Sequence, residues 1–221
     1  MMKKVLLSVL ITATLFVTGC DLYKDDTAVR YTTYIDSAMA ASYYGIYDEY
    51  VEISDSTLEE AEDLYDNTIQ YLTKSILQYN DINYDYISDE TLVKYYNLAK
   101  SALAKTHYVV NTANKVDGKY QVKVEISPID IWESTYDEVE EYIGKFNQKY
   151  PNYDSMTEAE LLVAEDEYAN EILNIITPYV TNMQYKETVT KIVEININDD
   201  GLFGISTEDW NDIDDYVMGI K

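Results

Sequence analysis

The chain has 221 residues and carries 16 Lys plus Arg against 41 Asp plus Glu, a formal net charge of −25. A surface that acidic disfavours nucleic acid and offers no polybasic attraction to an anionic membrane; it would favour cationic partners and calcium, although solubility alone is a sufficient reason for it. With one Cys and one His in the chain, an internal disulfide and a His/Cys zinc site are excluded, and any Ser-His-Asp or Cys-His arrangement would have to use His107.

Met1 to Cys20 read MMKKVLLSVLITATLFVTGC: two lysines, an uncharged apolar run from Val5 to Phe16, then Val17-Thr18-Gly19-Cys20. The run is short for a bilayer span, so it reads as a secretory signal peptide rather than a transmembrane anchor. Its end resembles the lipobox of bacterial lipoproteins, an aliphatic residue and two small ones before the cysteine to be lipidated. That resemblance implies a leader of residues 1–19, cleavage before Cys20, and a diacylglycerol (palmitate-class) anchor on its sulfur. The protein would then be held on the extracytoplasmic face of the cell membrane. Losing Lys3 and Lys4 with the leader would leave 14 basic against 41 acidic residues, or −27.

Residues 20–30 read as the lipidated tether, since Asp21 to Arg30 is polar and shows no periodicity. A single domain is expected over 31–221. Tyr31 to Tyr50 reads as a first helix, weakened by Gly45 and its clustered tyrosines. Ser56-Thr57-Leu58-Glu59 has the spacing of a capping box, with Ser56 as the cap. The apolar set Leu58, Ala61, Leu64, Tyr65, Ile69, Leu72 and Ile76 continues that helix to about Tyr79. Its acids Glu59, Glu60, Glu62 and Asp63 read as a solvated helix start favoured by the macrodipole, not as a metal site. After a loop over 80–87, Ser88 caps a helix with Leu92, Tyr95, Tyr96, Ala99 and Leu103 inward.

Tyr120, Val122, Val124 and Ile126 alternate with polar residues, the pattern of a strand with one buried face. Asp117-Gly118 is a hairpin turn signal, Thr106 to Asn114 the partner strand, and Pro128 the stop. Ser134 is expected to cap a helix that Pro151 closes. Thr157-Glu158-Ala159-Glu160 opens another, running to Pro178. Thr188 to Ile197 reads as a long strand with a bulge near Lys191-Ile192, where the alternation slips. Asp199-Asp200-Gly201 then turns the chain into a short strand, Leu202 to Ile205. Ser206 caps a final acidic helix containing Trp210, Ile213 and Val217.

The fold class is therefore α+β, an antiparallel sheet of about four strands with about six helices packed mainly on one face. Helix, helix, hairpin occurs over 56–130 and again over 134–206. This order has the look of a degenerate duplication that side-chain identity is too low to carry. The 24 Tyr against 3 Phe and 2 Trp could form a sugar-stacking or protein-binding surface. Their helix and strand spacing favours another role, packing in place of Phe with the hydroxyl at the core edge.

The chain also resembles lipoproteins of low-GC Gram-positive bacteria that carry a domain of unknown function. The residues are Leu58 through Tyr65 (LEEAEDLY), Asp117-Gly118-Lys119-Tyr120-Gln121-Val122-Lys123-Val124, and Ile126-Ser127-Pro128-Ile129-Asp130. The resemblance spans nearly the whole chain after Cys20. It implies an extracytoplasmic location and carries over no functional residue.

Little chemistry is legible. No G-x-S-x-G and no glycine-rich phosphate loop is present, and His107 reads as a strand residue at a sheet edge or face. Asn196-Ile197-Asn198-Asp199-Asp200-Gly201 begins like a calcium loop, but its twelfth position is Thr207 and a strand precedes it, so a hairpin turn is the better reading. No catalytic residue, metal ligand or cofactor is assigned; Cys20 is the one site residue, through its lipid.

The expected role is a non-enzymatic, lipid-anchored surface protein that binds a protein or envelope component. A carboxylate-based cell-wall or carbohydrate-active enzyme is the alternative. A solute-binding lipoprotein is a further one, disfavoured because no βαβ alternation is visible. A deep pocket with two facing carboxylates would favour the enzyme, and a flat aromatic patch the binder.

Overall fold

The computed structural model describes residues 27–198 and 203–221. The leader, the lipobox with Cys20, and the Asp199-Asp200-Gly201 turn lie outside them.

Helix α1 (Thr27–Tyr44) begins inside the expected tether, so 27–30 are helical. It stops where Gly45 turns left-handed at φ +65°. There the amides of Gly45 and Ile46 close on the Ala41 and Ala40 carbonyls (3.2 and 3.3 Å). The expected helix over 31–50 is thus two, the second being α2 (Asp48–Ser54).

Helix α3 (Leu58–Tyr79) is capped by Thr57, not Ser56. Thr57 Oγ1 accepts from the Glu60 amide (3.2 Å) and Glu60 Oε2 from the Thr57 amide (2.7 Å). The Ser56 hydroxyl instead pairs with that of Ser54 at 2.7 Å. Ser-Thr-Leu-Glu-Glu satisfies the capping spacing in two registers, so spacing alone could not choose. Ala61, Ile69, Leu72 and Ile76 are buried as expected, whereas Leu58 is exposed. A 3₁₀ turn (Tyr84–Tyr86) leads to α4 (Asp89–Leu103), capped by Ser88 through the Thr91 amide at 3.2 Å.

The partner strand expected over 106–114 is also two: β1 (His107–Val110) and β2 (Asn114–Val116). Between them the Ala113 amide leaves the ladder and donates to Thr32 Oγ1 of α1 at 2.8 Å. Both pair antiparallel with β3 (Lys119–Ser127), which pairs along its other edge with β4 (Val189–Ile197). That register is unbroken from Tyr120↔Ile195 to Ile126↔Val189, so the expected bulge does not occur. Ile192 simply faces outward, 63% exposed. The short β5 (Phe203–Gly204) completes a five-stranded sheet ordered β1-β3-β4-β5, with β2 beside β3.

Val122, Val124, Ile126, Val193 and Ile195 form the buried face, and Tyr120 is half-buried. Two helices cover that face: α1 lies on β1 and β3, and α7 (Thr207–Val217) on β3 and β4. Behind α1 comes α3, then α4, then α6 (Glu158–Thr181), then α5 (Trp132–Lys149). The opposite face, with Val109, Lys123 and Ile192, is exposed. The fold is α+β with its helices on one side of an antiparallel sheet. It has seven α-helices among the described residues because the Gly45 break adds one.

Helix α5 starts at Trp132 without a side-chain cap. Ser134, the expected cap, donates to Asp130 Oδ2 at 2.7 Å instead. At the start of α6, Glu160 accepts from the Thr157 amide at 2.8 Å. Pro178 does not end α6, which runs on to Thr181. Pro178 is exposed, so the carbonyl its missing N–H leaves unbonded lies near solvent.

Buried and half-buried tyrosines pack as Phe would, with hydroxyls spent on ties between elements. Tyr95 donates to the Ala169 carbonyl (2.7 Å), Tyr168 to Asn80 (3.0 Å) and Tyr44 to Thr106 (2.7 Å). The end of α7 is fixed by Gly219, at φ +65°, where an added Cβ would lie 2.0 Å from the Ile129 carbonyl oxygen. Beside it Trp132 Nε1 donates to the Met218 carbonyl at 2.7 Å.

Candidate functional site

A cavity of about 490 Å³ opens between α1, α3 and α7. That volume is in the range of about 300–1,000 Å³ typical of small-molecule sites. The helix period builds its walls. Glu60, Asp63, Asn67 and Tyr71 recur at three- and four-residue steps and present one stripe of α3; Thr207, Trp210, Asn211 and Asp214 do the same for α7. Tyr34 and Ala38 of α1 form the floor, and Asp215 and Ile205 also line it. Among the described residues, no Lys, Arg or His lines it.

Asp214 is the chemically distinctive group. It lies one turn after Trp210 and three residues before Val217, on the stripe by which α7 packs. The residue keeps some accessible surface because it lines the cavity, but its carboxyl sits deep among protein atoms, and the Tyr43 hydroxyl donates to Oδ1 at 2.5 Å. Burial pushes its pKa up to about 7; the Tyr43 hydrogen bond opposes the shift and the neighbouring Asp215 charge adds to it. Tyr43 is itself driven far above the usual phenol range, first by burial and then by Asp214.

The other acids differ in their ties. Tyr71 donates to Asp215 Oδ1 (3.0 Å), while Lys221 Nζ sits 3.0 Å from Asp215 Oδ2 and 2.7 Å from Asp212 Oδ1. Burial, followed by the Asp215 charge, pushes Tyr71 up to about 12. Lys191 of β4 also pairs with Asp212, so that carboxylate is held by two ammonium groups. Glu60 is occupied by its cap, and the hydrogen bonds from Thr57 hold it below the usual carboxylate range. Asp63 is exposed and has no cationic partner among the described residues.

His107 lies away from this cavity, at the start of β1, exposed and stacked on Tyr185 with ring centroids 4.4 Å apart. The Asp199 and Asp200 positions of the calcium-like stretch are outside the described residues. Among those described, no three His, Cys, Asp or Glu side chains converge as metal ligands. The cavity is not legible in the sequence: Glu60 and Asp63 read as a helix start, and Trp210 as one residue of the last helix. One signal was available, Asp214 as an acid on the apolar stripe of the last helix.

No protein-family model matches the chain, and no curated protein matches it. Among solved structures, the chain is similar to YcdA of Bacillus subtilis, a candidate lipoprotein whose crystal structure extends to 2.62 Å. The TM-score is 0.53 at 14% identity, covering 85% of this chain and 55% of that one. The chain thus spans about half the length of that protein. At this identity the likeness shows a shared fold alone. No helix among the described residues is long and apolar enough to cross a membrane.

Proposed function

We propose that this is a lipid-anchored extracytoplasmic protein of the Gram-positive lipoprotein type that binds a small molecule in the cavity between α1, α3 and α7. One observation carries this reading: a concave site of ligand size with aromatic and carboxylate walls on three rigid helices. Anchoring rests on Val17-Thr18-Gly19-Cys20 and is supported by the fold shared with a candidate lipoprotein. The family resemblance rests only on the residues quoted for it.

Asp214 favours one second reading, a carboxylate enzyme, because a group with a pKa near 7 can act as a general acid. Glycoside hydrolysis would need a second carboxylate across the substrate. Asp215 is the neighbouring residue on the same helix, about 100° round it, and is held by Tyr71 and Lys221. Glu60 is committed to its cap, and Asp63, the remaining carboxylate of the lining, is exposed, with no hydrogen bond or ion pair among the described residues holding it toward Asp214. Binding is therefore the better-supported role.

A fluorescence screen with a small-molecule library tests both readings, since Trp210 lines the cavity. Binding is expected to change the Trp210 signal and to be lost in Asn67→Trp, which fills the mouth from an exposed position of α3. Turnover of a glycan or cell-wall substrate that disappears in Asp214→Asn would overturn the binding reading in favour of the enzyme.

A further inference from the structure

We infer that the cavity selects a small organic cation, an ammonium group on an apolar or aromatic body. This inference rests on the small-molecule reading above and names the ligand class.

Four carboxylates line the cavity (Glu60, Asp63, Asp214 and Asp215) with no basic side chain among them. A neutral or anionic ligand closing over that lining would take carboxylates out of water, and those without a protein cation, Asp63 above all, would cost several kcal/mol each. A cation would neutralise them. The acids do not converge tightly enough to ligate a metal ion, and a bare metal would leave most of the volume unfilled. An ammonium on a larger body matches both the spread of the acids and the size of the space.

The aromatic lining supports the same class. Trp210 and Tyr71 line a cavity whose lining among the described residues holds no Lys, Arg or His, and aromatic faces attract ammonium groups through the ring quadrupole. The molecule also displays the interaction internally. Lys191 Nζ lies 4.3 Å from the Tyr216 ring centroid, and Lys221 Nζ sits on Asp215 itself. An ammonium is therefore already accepted at one carboxylate of the cavity, and Asp63 has no cationic partner among the described residues. The net charge of −25 would concentrate such cations around the molecule.

The test is calorimetric titration of the protein with matched probes. The first pair is choline against 3,3-dimethylbutan-1-ol, which replaces the trimethylammonium by a neutral group of the same shape. Benzylamine against benzyl alcohol and benzoate forms the second set, and glucose serves as a neutral polyol. Each amine is expected to bind at least tenfold more tightly than its neutral partner, with benzoate and glucose weaker still. Raising the salt should weaken the amines selectively. Asp63→Asn should weaken them severalfold. Lys221→Met, which leaves Asp215 uncompensated, should tighten them at least threefold. Equal or tighter binding of the alcohols, benzoate or glucose would overturn the cation assignment and leave the small-molecule reading standing. Failure of every probe, together with no hit from the library, would overturn both.

Discussion

Tyr43 and Asp214 join the floor of the cavity to its α7 wall, and the physics of that contact sets a pH response. A carboxyl with an ordinary pKa of 3.8 that rises to about 7 in the fold binds more protons folded than unfolded. Stability must then fall as pH rises from about 4 to about 7 and level off above. Asp214→Asn keeps an acceptor for the Tyr43 hydroxyl and removes the charge. The melting temperature of the variant, relative to the parent, should climb between pH 5 and pH 8. Parallel pH profiles for the two proteins would show that Asp214 carries no such burden. His107, exposed and remote from the cavity, should tolerate alanine with binding unchanged in the same titrations.

The elements divide according to how firmly their signals specify one register. Along β3 the alternation was legible because Val122, Val124 and Ile126 all face the helices. On β4 the outward Ile192 broke the apparent pattern, since a β-branched apolar residue suits a strand on either face. The contrast is measurable: Val193→Ala, on the buried face, should cost on the order of 1–3 kcal/mol in a denaturant titration. Ile192→Ala should cost within about 0.5 kcal/mol. Similar costs at both positions would restore the bulge. Gly45 illustrates another limit, because a glycine inside a helical pattern can be tolerated or can end the helix, and only the capping of the Ala40 and Ala41 carbonyls decides. Gly219 fixes how α7 sits against the chain leading into α5. Gly219→Ala meets the Ile129 carbonyl at 2.0 Å and should cost on the order of 2–4 kcal/mol. Gly118→Ala, at φ +89° but with open space around it, should cost about 1 kcal/mol.

For the molecule as a whole, fold class was readable because helix and strand periods differ and the caps punctuate them. The site was not, because a cavity is a property of three helices brought together from 27–44, 58–79 and 207–217. Glu60 and Asp63 look like any acidic helix start until α7 is laid across from them. At the membrane, the account predicts that Cys20→Ala abolishes metabolic labelling with a fatty acid and releases no processed form; normal labelling of that variant would refute the anchor. The cavity itself is tested most directly by nuclear magnetic resonance titration of the ¹⁵N-labelled protein with choline and with the best hit of the small-molecule library. Shifts are predicted to centre on the Trp210 indole and the side-chain amides of Asn67 and Asn211, which line the cavity from α7 and α3. Shifts confined to the exposed sheet face around Val109 and Ile192, or none with either ligand, would contradict it.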